Sequence, residues 1–183
     1  IALIAPKKTE VLYTGINDPK KGIDLDFFDR VHSTQRFGAK AALISAAFII
    51  QKLATLELDV EPEEIDVNQL FNSGDESRIS ISDHLANGAG FCKQIEENYE
   101  TWILGALSRG TGYIADQLLA KDHEDCDGAC YECLKTFRNM HYHPLLDWRL
   151  GLLFLHMQAD SEFNCGLDGN YLASKALMHG SRN

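Results

Sequence analysis

Apolar and polar residues alternate loosely over residues 1 to 14, with β-formers from Glu10 to Thr14, and the NDPKKG that follows supplies turn chemistry. An early hairpin is expected, with Ile23 to Phe28 as its second strand. Phe37 to Ala54, FGAKAALISAAFIIQKLA, is the longest run of good helix formers and is apolar around most of its circumference. Such a helix has to be covered on most sides, and its small Ala and Ser residues admit close neighbours. The alanines read as packing positions. Leu56 to Leu70 then reads as two strand-like pieces divided by a turn at Pro62.

The cleanest alternation is RISISD, Arg78 to Asp83, which places Ile79 and Ile81 on a core face of a strand ending at Asp83. HLANGAGFCKQIEEN follows as a glycine-punctuated loop that opens a helix reaching Leu107. Gly88 and Gly90 at that helix start offer backbone N–H groups to an anion. NGAG, however, lacks both the GxGxxG spacing and the GK[ST] ending, so glycines serving a tight turn explain it better, with Asp83 capping the loop. Thr111 to Lys121 reads as a short helix. Pro144 is expected to open another through His156, with a wide apolar face, and the glycine-broken tail from Ser161 carries at most a final helical turn.

These elements predict an α+β fold, a mixed sheet packed with helices, with residues 120–143, whose Cys126, Cys130 and Cys133 are spaced as in a zinc knuckle, inserted before a C-terminal helix. A chain of 183 residues suffices for a single domain with its own core. It begins with Ile, so it is expected to be a piece of a longer protein. No apolar run is expected to span a bilayer, no leader pattern opens the chain, and a cytoplasmic location is expected.

Net charge changes the picture for partners. With 27 acidic against 17 basic residues the chain carries −10, so its surface as a whole repels a phosphate backbone. Nucleic-acid contact would have to be local, at Lys7 with Lys8, Lys20 with Lys21, or Lys135, Arg138 and Arg149.

The chemistry concentrates in HEDCDGACYECLKTFRNMHYHPLLDWRLG, His123 to Gly151. Three of the five cysteines, Cys126, Cys130 and Cys133, are crowded there, and four of the seven histidines, His123, His141, His143 and His156, lie in or just past it. Soft thiolates with imidazoles point to one bound Zn2+. An odd cysteine number with this clustering fits a metal site better than a disulfide framework. Cys126-x3-Cys130-x2-Cys133 supplies three ligands, and the residues after Cys133 look helical. His123 is the first choice for the fourth ligand, with His141, His143, Cys92 and Cys165 as alternatives. Lys135 or Arg138 would offset the acidic surroundings of Glu124, Asp125 and Asp127.

Catalytic zinc patterns fail on spacing. H-x-E well upstream of P-C-x-x-C, the deaminase arrangement, is missing, as is H-E-x-x-H. A hydrolase acting on nucleic acid would need an open zinc position with Asp83 or Asp147 as base. A pure protein-interaction module is the third reading, suggested by the acidic surface.

RISISDHLANGAGF, CDGACYECLKTFRNMHYHPLLDWRLGLLFL and NCGLDG, in that order, resemble the MrfA-type zinc-binding domain family. KKTEVLY, the small-residue helix and LELDVEPEEIDV are similar too. The resemblance implies zinc at Cys126, Cys130 and Cys133. Other members often carry a further cysteine just ahead of the first, where this chain has Glu124 beside His123. It also implies a non-catalytic accessory role to a superfamily-two DNA helicase, in cis or in trans, in DNA repair or in DISARM phage defence. No Walker A lysine or DEAD-type box occurs in the sequence, so ATP hydrolysis would belong to a motor elsewhere.

Overall fold

The computed structural model describes residues 8–17, 19, 25–29, 34–68, 71–73 and 76–164. In chain order these form β1 (Val11–Gly15), β2 (Phe28–Asp29), β3 (Thr34–Gln35), α1 (Phe37–Leu58), β4 (Ile65–Val67), β5 (Phe71–Ser73), β6 (Glu76–Asp83), α2 (Phe91–Tyr99) and α3 (Trp148–Ala159). The class is α+β, with the cysteine loop ahead of α3. The expected tail helix, and Cys165 with it, lie outside the described residues.

β6 is the centre of the sheet. β1 runs antiparallel along one edge, while β4 and β5 share the other, β4 facing Ile81–Asp83 and β5 facing Arg78 to Glu76. The early hairpin is therefore not formed as expected. β1 pairs with a strand some sixty-odd positions away, and β2 pairs with β3 instead. Local turn chemistry was outweighed by a long-range pairing that aligns Leu12 with Ile81 on the face turned toward the core. On that face Ile79, Ile81 and Ile65 are completely or almost completely buried.

α1 starts at Phe37 as the pattern predicts and covers this face, every residue from Ala41 to Ile50 being buried. It runs past Ala54, so LEL forms its last turn and not a strand. Asp59 then adopts a left-handed conformation (φ 54°), and both its N–H and that of Val60 bond to the Thr55 carbonyl, closing the helix. Pro62–Glu64 makes one 3₁₀ turn before β4. By length and composition α1 is apolar enough to cross a bilayer, contrary to the sequence expectation. Here it is wrapped by the sheet on one side and by α3 on another.

α3 crosses α1 at close quarters. A Cβ added at Gly151 would meet Ile49 Cδ1 at 2.8 Å and the Ser45 carbonyl carbon at 2.9 Å. The helix begins at Trp148, not Pro144. Asp147 Oδ1 accepts from the Arg149 N–H (2.9 Å) and the Leu150 N–H (3.3 Å), an N-cap that outcompetes the proline start. Pro144 sits instead inside a 3₁₀ segment, Met140–Leu145. Ser45 Oγ of α1 accepts from the Asp147 N–H at 2.8 Å, so the same residue joins the two helices.

α2 continues through a π-helical turn (Glu100–Leu104) and a 3₁₀ turn to Leu107, where the sequence predicted the helix to stop. The helix expected over Thr111–Lys121 contracts to Ile114–Leu118, because Gly110 and Gly112 hold positive φ before it.

Candidate metal centre

Three short turns bring the sulfur and imidazole groups together. Lys121–His123 is a single 3₁₀ turn that carries His123 inward, and the Cys126 N–H bonds back to the His123 carbonyl at 3.1 Å. Cys130 to Cys133 forms a tight turn in which the Cys133 and Lys135 N–H groups both donate to the Cys130 carbonyl, at 3.3 and 2.8 Å. The Cys130 N–H points at Cys133 Sγ, 3.0 Å away. A backbone donor aimed at sulfur favours thiolate over thiol. The helix expected just after Cys133 does not form: Leu134 completes the turn and Thr136 and Asn139 cap one another.

The result is a cluster in which His123 Nε2 and the Sγ atoms of Cys126, Cys130 and Cys133 all lie within 4.8 Å of one another. Zn–S bonds of about 2.3 Å and Zn–N bonds of about 2.0 Å at tetrahedral angles require S–S separations near 3.8 Å and N–S near 3.5 Å. Cys130 Sγ lies 3.6 Å from Cys133 Sγ and 3.4 Å from His123 Nε2. The donor set fits zinc in spacing and in softness. Burial pushes the Cys133 thiol up to about 12 and raises Cys126 as well, so a cation must displace protons to bind here.

The surroundings orient His123. Its Nδ1–H donates to the Leu118 carbonyl (3.0 Å), which leaves the Nε2 lone pair facing the cysteines. Its ring packs on Trp148, centroids 5.4 Å apart. Arg149 lies over that indole at 4.3 Å and donates to the Cys126 carbonyl (2.6 Å) and the Glu124 carbonyl (3.2 Å). Tyr113 Oη donates to the Cys133 carbonyl at 3.0 Å. Arg149 is therefore a cation held directly on the loop, one that the sequence expectation of Lys135 or Arg138 did not include. Arg138 reaches away to Glu63 (3.1 Å). Arg149, read from sequence as a possible DNA contact, is buried and occupied. The adjacency of Trp148 and Arg149 to the knuckle joins positions more than twenty residues apart, and no local pattern pointed toward it.

The other ligand candidates are engaged elsewhere. His143 Nε2 lies 3.0 Å from both the Thr136 carbonyl and Asn139 Oδ1, and the His141 ring lies tilted against that of Tyr142, centroids 4.0 Å apart. Cys92 is buried in α2, its thiol donating to the Ile81 carbonyl.

Asp83 is a second polar centre, and its geometry is that of a cap. Its Oδ2 accepts from the N–H groups of Ala89 (2.7 Å), Gly90 (2.9 Å) and Phe91 (3.1 Å), and Oδ1 from that of Cys92 (2.8 Å). Burial pushes its acidity the other way, yet these donors, Cys92 foremost, hold the carboxyl below its ordinary value. The anion that fills the Gly88–Gly90 turn is thus the chain's own carboxylate. Asp147 caps α3 through Oδ1, so both aspartates considered as a hydrolytic base have a capping role in the fold.

Residues 46–134 match the family model of MZB, the MrfA Zn-binding domain. The match begins within α1 and ends one residue past Cys133, so it takes in β4 to β6, α2 and the whole His/Cys3 cluster. Zinc is the cofactor that both the family and the cluster support. No curated protein and no solved structure matches the chain.

Proposed function

We propose that this chain, matching the MrfA Zn-binding domain over residues 46–134, is a non-catalytic zinc module serving a superfamily-two DNA helicase or translocase. His123, Cys126, Cys130 and Cys133 hold the ion. The observation that carries the reading is the way the loop is tied down. The imidazole is oriented by Leu118, while Arg149 grips the carbonyls of Glu124 and Cys126 from the first turn of α3. Four protein ligands leave zinc no open position, which is the arrangement of a structural site. Bound zinc supplies a rigid crosslink and a charge sink for thiolates, and the residues around it do the rest: they dock the knuckle on α3 and present the segment from Tyr131 to Met140 at the surface. Tyr131, Phe137 and Met140 are exposed there. The motor, and the DNA it moves along, are implied by the family resemblance, in repair or in defence against foreign DNA.

The test is Cys130→Ser in the purified chain. Zinc content should fall from one equivalent toward none, and limited proteolysis should open the segment between Ala120 and Leu150. Unchanged zinc content with unchanged protease resistance would overturn the assignment. The accessory role is read separately, by co-purification with a helicase motor and stimulation of its DNA-dependent ATPase.

A further inference from the structure

A cavity of about 210 Å3 lies between α1, the Pro62–Glu63 turn, β4 and the loop after the cysteines. Its apolar side is built from Phe48 and Ile65. Its aromatic wall is Tyr142, whose ring stands 5.7 Å from Phe48 and 4.0 Å from His141. The Tyr142 hydroxyl makes no hydrogen bond among the described residues. Two carboxylates border the opening. Glu63 accepts from Arg138 Nε at 3.1 Å, and Asp66 faces His84 Nδ1 at 3.2 Å.

We propose that this cavity receives an arginine side chain presented by a partner protein. Three observations select that occupant. Aromatic faces combined with carboxylates are the environment that a guanidinium prefers, since it stacks on rings and pairs with carboxylates in its own plane. The chain already seats one guanidinium there, Arg138 on Glu63, and that side chain is 70 % exposed and so easily displaced. The charge is complementary as well. Glu63 and Asp66 line the cavity, Glu61 and Glu64 neighbour them in the sequence, and the chain as a whole carries −10, a balance that attracts a basic segment and disfavours a nucleotide phosphate. A volume near 210 Å3 takes a guanidinium with part of its stem, several times the roughly 30 Å3 of one water. The inference stands apart from the zinc assignment, because no cavity residue named here is one of the proposed ligands, and from the identity of the motor.

The probe is N-acetyl-arginine amide, titrated into the zinc-loaded chain while the ring protons of Tyr142 and His141 are followed by NMR. N-acetyl-citrulline amide, of the same shape without the charge, and AMP are the controls. Arginine amide should shift both rings with a saturable, millimolar response that citrulline amide does not reproduce. Glu63→Gln and Asp66→Asn, both at partly exposed carboxylates, should each weaken it about tenfold while keeping one zinc and the native fold. Arg138→Ala should strengthen it severalfold by freeing Glu63. Equal binding of the citrulline amide, ring shifts with AMP instead, or indifference to both carboxylate variants would each overturn the proposal. A chain that takes arginine amide yet lacks zinc would refute the zinc assignment and leave the cavity's role standing.

Discussion

His123 combines two tasks that a substitution can separate. Its ring fills space against Trp148, and its Nε2 faces Cys130 Sγ at 3.4 Å while Nδ1 is anchored on Leu118. Replacing it with Phe keeps the packing and removes the nitrogen, so His123→Phe should lower zinc affinity by more than about a hundredfold with little change in the sheet core. Competition against a colorimetric chelator reads this directly, and an unchanged affinity would mean that the nitrogen is not a ligand. Asp83 offers a contrasting residue-scale case. Its folded pKa is held below the ordinary value, so its carboxylate contributes stability that is complete above about 3.9 and is lost as pH falls through the folded value. Asp83→Asn turns one acceptor into a donor facing backbone N–H groups, and should cost about 1–3 kcal/mol near neutrality. Urea unfolding at a series of pH values should show the gap between the two proteins narrowing only below about pH 4. A gap already closed at pH 6 would contradict the capping role.

At the scale of elements, the crossing of α1 and α3 is set by the absence of a side chain at Gly151. The nearest obstacles to a methyl group include backbone of α1, the Ser45 carbonyl carbon and the Ala46 nitrogen (3.0 Å), which cannot rotate away. Gly151→Ala should therefore destabilise the protein by about 1–3 kcal/mol despite its better helix propensity, and thermal or urea unfolding measures it. A stabilised variant would show that the helices separate freely. The sequence made the elements packed around α1 legible to different degrees. The small residues of Phe37–Ala54 announced a closely packed helix, and Ile79 and Ile81 announced the core face of β6, because both signals are periodic and local. The partner of β1, the true start of α3 and the cation beside the cysteines were not legible. Each depends on a contact between distant positions: Leu12 with Ile81, Ser45 with Asp147, Arg149 with Glu124 and Cys126. The Cys126–Cys130–Cys133 spacing was readable as a metal loop for the opposite reason, since three donors lie within one short stretch and need little tertiary help to meet. His123 stood out from the other histidines only by its place next to that stretch.

For the molecule as a whole, the question is how far zinc supports the fold. The central core is assembled without it: Leu43, Ile49, Ile50, Ile79, Ile81 and Phe154 are fully buried between α1, α3 and β6, and none lies in the cysteine loop. The loop from Lys121 to Leu134 has little of its own to bury beyond His123 and Leu134, and its thiols are held by short turns and by Arg149. Withdrawal of a structural ion should therefore open a local unit at much lower free energy than global unfolding. Treating the chain with a strong zinc chelator should abolish hydrogen-exchange protection of the Cys126, Cys133 and Lys135 amides and fray the first turn of α3, where Trp148 donates to the Gly128 carbonyl. Amides in the middle of α1 and in β6 should stay protected on the same timescale, and added zinc should restore the loop. Loss of protection throughout α1 and β6 would show instead that the ion holds the entire fold, and that the helix crossing at Gly151 is a consequence of zinc binding and not its platform.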